Sequence, residues 1–499
     1  MSRRFWIPLI AAGVTLLIHL IGNAHYGFFR DELYFIICGR HPALGYVDQP
    51  PLIPWLAALS QVFGHSLFLL RLLPALCAAG AVFVVCQLVE EFEGGPYAQI
   101  LAAILTALCP VLTSFGMKIS TDMLNLFLWP LIALWLLRLV KGANPRWWLL
   151  VGGLLGLSMM SKYSTIFFAA ALFIGLLATG SRRAFRTPWF AAGMALSAAI
   201  VLPNFLWQAH FEFPMLELLR NGAAGKNIAL GPIQYVLQEF LITGPLFAIA
   251  WLIGLFALLR HERARWLGYA YVVLITEMIV LHGKHYYPAD VYPYLFAAGA
   301  ATIERWIRGR AWLQFTLASV AVLGGLILIS YTLPILPEHS FIAYNKIIKL
   351  AGNTETEHTR HGELLWQDWE DMHGWPEMAA QVAAAYEALP TAQRKRTAIW
   401  VSNYGDASAI DFFGGTALPP VISGHNQYYL WGTHGFDGQS VIRVGGDISE
   451  LHRLFAHVTL VARTSAPYAV AIEDHRPIYL CTGIRTPLAA VWSRFKNYE

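Results

Sequence analysis

The chain alternates long apolar runs with short polar links for about two thirds of its length, then changes character. Segments of roughly 20 apolar residues are long enough to cross a bilayer as helices. About eleven occur: residues 5–22, 66–89, 97–115, 122–139, 147–161, 164–180, 188–206, 233–258, 267–282, 287–303 and 312–333. The two around Lys162 are short enough to be read instead as one re-entrant hairpin. Beyond residue 334 the apolar runs stop and strand-like and helix-like stretches alternate. Residues 397–403, 439–444, 458–462 and 477–481 read as strands; 376–388 and 448–456 read as helices. The expected architecture is a polytopic α-helical membrane domain over residues 1–335, followed by a soluble α/β domain over 336–499. A segment of that size can bury a core of its own.

Composition strengthens the membrane reading. Of 499 residues, 57% are hydrophobic and only 13% charged, with a mean hydropathy of +0.49. A soluble chain carries about 25% charged residues. The opening Met1-Ser2-Arg3-Arg4 and apolar run could be a signal peptide. The bulky Ile18-His19-Leu20-Ile21 offers no small-residue cleavage site, so a retained span is expected.

The placement of charge gives an orientation. Arg3 and Arg4, Arg138 to Arg146, Arg182 to Arg186, Arg260 to Arg265, and Arg305 to Arg310 fall on alternate links. Lys/Arg-rich links stay cytoplasmic, which puts the start of the chain inside and the tail outside. The acidic link Glu90-Glu91-Phe92-Glu93 is the exception on the inner side.

The outer links carry the side chains that do chemistry. The first holds adjacent acids Asp31 and Glu32 beside Arg30, then Tyr34, Arg40, His41 and Asp48. Later ones hold Lys118 and Asp122, Lys162 and Tyr163, Arg220 and Lys226, and Lys284, His285, Tyr286 and Tyr287. Charge at a membrane face is costly unless it serves a purpose. Asp31 and Glu32 could simply start a helix, where an acid favours the free N–H groups. That does not explain two adjacent acids next to an arginine, and Asp31 is read as a general base. Glu32 is assigned to the same catalytic pair, more as an orienter of Arg30 or of a loop. Asp48 has turn chemistry around it and Asp122 a helix-cap position, and each is equally readable as substrate-binding. Lys162 and Lys284 could snorkel to the interface, yet snorkelling lysines collect on the cytoplasmic side. With Arg220, they are read as contacts for a phosphate. Tyr34, His285, Tyr286 and Tyr287 would line the substrate.

No nucleotide-binding signature occurs, and nothing suggests nucleic acid. His282 and His285 lie three apart without further ligands nearby, so no metal or other cofactor is expected. The five cysteines include no CxxC; Cys38 and Cys481, outside the apolar runs, could pair in an oxidising compartment.

The motifs also carry a resemblance. Asp31-Glu32-Leu33-Tyr34, Gly45-Tyr46-Val47-Asp48-Gln49-Pro50-Pro51-Leu52, Ser120-Thr121-Asp122, Ser161-Lys162-Tyr163 and Lys284-His285-Tyr286-Tyr287-Pro288 resemble the dolichyl-phosphate-mannose-protein mannosyltransferase-like family, over about residues 1–335. The tail's Asn403-Tyr404-Gly405-Asp406 and its Ser423 to Gly432 stretch resemble the tails of bacterial members. The resemblance implies a GT-C glycosyltransferase with a polyprenyl-phosphate sugar as donor, a lipid, glycan or protein as acceptor, and Asp31 as the essential aspartate. The competing readings are a transporter or flippase that moves a lipid-linked sugar without chemistry, and a membrane-anchored binding module. Transporters place charges at the bilayer midplane in repeated halves; here they gather at one face and no repeat is visible. The tail is expected to cover the site and select the acceptor, its 423–432 aromatics either meeting the ligand or seating the domain.

Overall fold

The structure, a computed structural model, describes residues 3–226, 230–349, 364–470 and 472–499. Each of the eleven apolar segments is helical, but fewer qualify as spans. Among the described residues four helices, Leu67–Glu91, Met123–Val140, Pro188–His210 and Ala311–Tyr331, are long and apolar enough to cross a membrane. A fifth would be the pair Pro232–Thr243 and Pro245–Arg260, bent by 112°. The single span expected over 233–258 is thus broken, at Gly244 with φ +83°, where Pro245 starts a new helix. Likewise 97–115 divides into Pro96–Leu108 and Pro110–Phe115, because Pro110 cannot continue the ladder. The re-entrant hairpin around Lys162 does not form. Trp148–Ser161 packs along Pro188–His210, and Thr165–Leu177 along Arg265–Val280.

Burial sorts these helices. In their 18-residue apolar stretches, about two thirds of the residues of Leu67–Glu91 and of Met123–Val140 are buried, against 11% for Pro188–His210 and 22% for Ala311–Tyr331. The first pair forms the centre and the second presents Leu202, Phe205, Phe315 and Leu323 outward. The acidic link on the arginine-rich side has a local explanation. Glu91 pairs with Arg138 at 2.8 Å and Lys141 at 2.9 Å, so its charge is answered within the fold.

The tail holds a five-stranded sheet in the order β2-β1-β3-β5-β4: β1 Thr397–Val401, β2 Val421–Ser423, β3 Ser440–Val444, β4 Phe455–Arg463 and β5 Pro477–Ile484. β2, β1 and β3 run parallel, and β5 and β4 are antiparallel additions. β2 follows Pro419-Pro420 directly and, at three residues, is too short for a pattern to reveal. Period-two alternation divides the side chains between two cores. Ala398, Trp400 and Val441 enter a core internal to the tail. Ile399, Val401, Ile442 and Val444 enter one shared with Leu33, Tyr34, Ile36, Ile53, Leu70 and Met123 of the membrane part. One face of the sheet therefore has the membrane domain as its second layer, and the tail's core is not wholly its own. Cys38 and Cys481 are both buried and unpaired, on different cores.

A half-buried acid in the tail gives this region a pH signature. Asp411 accepts from the Tyr428 hydroxyl (2.8 Å) and the Val421 amide (3.1 Å). Burial outweighs those bonds and the Arg40 charge and pushes its carboxyl up to about 6. A raised carboxyl favours the fold while protonated: its contribution is complete below the ordinary value near 4 and is lost as pH rises through about 6. Between pH 4 and 6 the unfolding midpoint of the full chain should fall more steeply than that of Asp411→Asn, a difference worth up to about 3 kcal/mol. Parallel melting curves for the two proteins would refute this.

Candidate active site

The Arg30–Arg40 helix starts where sequence analysis placed two acids, and the two do different work. Glu32 sits at the third helical position and reaches back to the Phe29 amide at 2.8 Å, closing the helix start. It is fully buried and takes two bonds from Arg71, at 3.0 and 2.8 Å, and another from the Ile119 amide at 3.2 Å. The expected partner was Arg30; the actual partner is Arg71, inside the apolar Leu67–Glu91 helix. With its oxygens so engaged Glu32 has a structural task, and of the two acids Asp31 is the one left open to a ligand.

Asp31 is the acid that keeps an open face, with 36% of its side chain exposed. Its Oδ1 accepts from the Tyr404 hydroxyl at 2.7 Å and lies 3.5 Å from Arg30 Nε. Arg30 is itself buried, 3.8 Å from Asp371, with its guanidinium 5.5 Å from the Tyr404 ring centre. Gly405 makes this approach possible, since a Cβ there would sit 2.5 Å from Arg30 Cγ. Tyr404, Asp371 and the segment joining them all come from the tail. Burial raises the Asp371 carboxyl, with Arg30 opposing the rise.

Asp48 joins the same region. It accepts from Tyr34 at 2.9 Å, and the Gln427 amide donates to that hydroxyl at 3.2 Å. Asp48 also acts electrostatically on Tyr404 and on Tyr163. Tyr163 in turn bonds Asn204 and Gln208 of the Pro188–His210 helix. The next residue back is Lys162, which pairs with Asp122 at 2.5 Å and lies 4.2 and 5.2 Å from the ring centres of Tyr287 and Tyr286. Buried Asp290 faces this pair with one carboxyl oxygen lacking a hydrogen-bond partner. His285 packs edge-on to Tyr286, and Lys284 lies 5.9 Å from the same ring. Asp31, Tyr34, Asp48, Asp122, Lys162 and the 284–287 run are therefore linked by contacts at helix ends. Arg220 stands apart, exposed on the Pro214–Asn221 helix; the side chain of Lys226 lies outside the described residues.

The 423–432 stretch seats the tail. His425 to Tyr428 are buried, Gln427 accepts from the Val47 amide at 3.2 Å, and Trp431 packs on His41 with ring centres 4.7 Å apart. The residues that sequence reading passed over had signals in hindsight. Arg71 is the one basic residue of an apolar helix, in its second turn, and Tyr404 is the aromatic of the tail motif already singled out.

Comparison with known proteins finds matches in sequence and in fold. Residues 48–207 match the family described as dolichyl-phosphate-mannose-protein mannosyltransferase, a stretch that includes Asp48, Asp122 and Lys162 and excludes Asp31 and the 284–287 run. The chain is 26% identical over 262 residues to lipid A galacturonosyltransferase RgtD of Rhizobium johnstonii, covering 50% of this chain and 54% of that protein. It thus spans about half the length of that curated relative. The fold is similar to that of ArnT from Cupriavidus metallidurans. The apo structure gives a TM-score of 0.64 and the one bound to undecaprenyl phosphate 0.63, each at 14% identity over 96% of this chain and 98% of that one. Mycobacterial arabinofuranosyltransferase AftD matches at a TM-score of 0.54 and 15% identity, over 97% of this chain and 40% of that one. The resemblance read from the motifs is present in sequence and in fold, which is GT-C with a tail bearing a sheet.

The Glu32–Arg71 pair makes a quantitative demand. Removing one partner leaves the other's charge buried, which costs about 3–5 kcal/mol. Arg71→Met alone should lower the unfolding midpoint sharply, whereas Arg71→Met with Glu32→Gln should recover much of the loss. A single variant as stable as the parent protein would show that the pair does not anchor the helix.

Proposed function

We propose that the chain transfers a monosaccharide from a polyprenyl-phosphate-linked donor to an acceptor on the periplasmic face of the inner membrane, with inversion. The observation that carries this reading is the contrast within one helix turn: Glu32 is saturated by Arg71, while Asp31 is half-open and fixed by Tyr404 and Arg30. A carboxylate held in this way and still reachable suits a general base. The acceptor hydroxyl gives its proton to Asp31 as its oxygen attacks the anomeric carbon. The bond from that carbon to the phosphate oxygen breaks, and its electron pair leaves with the polyprenyl phosphate. Lys284 and Lys162, among Tyr286 and Tyr287, answer the charge that develops on the phosphate.

The likeness to ArnT, solved with undecaprenyl phosphate, and to a lipid A galacturonosyltransferase supports a polyprenyl-phosphate donor and a lipid acceptor. Tyr404 is a positioning residue and the tail a wall of the site, so acceptor selection falls to the tail.

The test is transfer by the purified protein from polyprenyl-phosphate sugars to lipid A, read as acceptor-dependent release of polyprenyl phosphate. Asp31→Asn keeps the shape and removes the base, so release should fall by roughly 10²–10⁴-fold with donor binding intact. Tyr404→Phe keeps the ring against Tyr34 and removes one bond to a charged group, for a loss of roughly tenfold. Transfer by well-folded Asp31→Asn at the parent rate would overturn the assignment.

A further inference from the structure

A cleft lies at the end of the membrane helices far from Asp31. The Pro245–Arg260 and Tyr292–Trp306 helices touch backbone to backbone. A Cβ at Gly254 would fall 1.9 Å from the Leu295 carbonyl oxygen, and one at Gly299 2.1 Å from that of Ala250. One to two turns further on, the same helices line a cleft of about 630 Å³. Its wall is apolar, made by Ile253, Phe256 and Ala257, and its rim carries Arg260, Arg305, His261 and Trp306. The Tyr292–Trp306 helix begins two residues after Asp290, and its 15 residues span about 22 Å. The cleft therefore opens at the opposite end from the Asp31 side.

We propose that this cleft binds the phosphodiester headgroup of an anionic phospholipid from the leaflet opposite the Asp31 face. The two arginines supply forked donors that match phosphate oxygens. Each is the last basic residue of its helix, and a helix C-terminus alone favours one cation by about 0.3–1 kcal/mol. That accounts for an arginine at each end, but not for a cleft kept open between them with no acid in its lining. The surroundings are positive as well. Burial lowers the pKa of His261, and the charges of Lys141 and Arg305 lower it further, with Glu93 opposing. Arg305 is steadied by a 2.9 Å bond to Thr302, and the nearby Glu304 is turned away onto the Gly95 amide. A lipid is favoured over a soluble anion because Phe256 and Trp306 are 56% and 63% exposed beside the cationic rim. Apolar surface below and a tryptophan at headgroup level fit an acyl chain and its phosphate together.

The test is native mass spectrometry of the full chain released from mixed phosphatidylglycerol and phosphatidylcholine vesicles. The parent protein should retain one more phosphatidylglycerol than Arg260→Gln/Arg305→Gln, whose affinity should fall roughly tenfold or more. Phosphatidylcholine retention should be the same for both. Ala257→Phe, which fills the cleft and leaves its charges in place, should lose the same lipid. It also decides the matter if the double variant folds poorly. Equal phosphatidylglycerol retention by parent and variants would overturn the proposal, as would displacement of the lipid by millimolar inorganic phosphate, which would mark a soluble-anion site.

Discussion

The Arg71–Glu32 pair is the interaction on which the rest of the structure depends. It places two charges in the interior, both fully buried, which is tolerable only where each finds further partners. Arg71 finds them in the carbonyls of His25 and Gly27, at 3.2 and 2.8 Å, and Glu32 in the amides of Phe29 and Ile119. One pair thereby ties together the end of the first apolar segment, the start of the Arg30–Arg40 helix, the Leu67–Glu91 helix and the link before Met123. With Glu32 turned inward, the helix geometry turns its neighbour Asp31 to another direction, towards the open face.

The tail completes what this anchor begins. Met372 lies against Arg71, and its carbonyl lies where a Cβ on Gly27 would be, 2.2 Å away. Tyr404 then closes on Asp31, and Gln427 on Tyr34 and Val47. A network of charges stands behind the contact: Arg476 pairs with buried Asp406 at 2.6 Å and with Glu473, which Arg30 also influences. The sheet contributes one face to these contacts and keeps the other for its own core. The tail thus orients an acid of the helical part, and the Asp31 cluster forms where the two meet.

Much of this was legible in the sequence. The apolar runs located the helices, alternation located four of the five strands, and the polar links located the cluster of Asp31, Asp48, Asp122, Lys162 and Lys284. What was not legible concerns pairing across long separations. Glu32 finds its cation 39 positions away, and Tyr404 reaches Asp31 across 373. Sequence alone pointed to Asp31 as the base and to Glu32 as an orienter of Arg30 or a loop; only the fold shows Glu32 turned inward onto Arg71. The breaks at Pro110 and at Gly244-Pro245 were not legible, because the apolar runs they divide keep a high average hydropathy. The aromatic 423–432 stretch suited a ligand and a seat equally until its burial showed it seated on the first outer link.

The central claim is that sugar transfer takes place at the seam between Asp31 and the tail. A structure of the Asp31→Asn protein with a bound polyprenyl-phosphate sugar tests it most directly. The account predicts the phosphate beside Lys284 and Lys162. It predicts the anomeric carbon about 6 Å from the residue 31 side chain, room for one acceptor oxygen between them. A donor whose anomeric carbon lies beyond reach of residue 31, or whose phosphate lies away from both lysines, would contradict it.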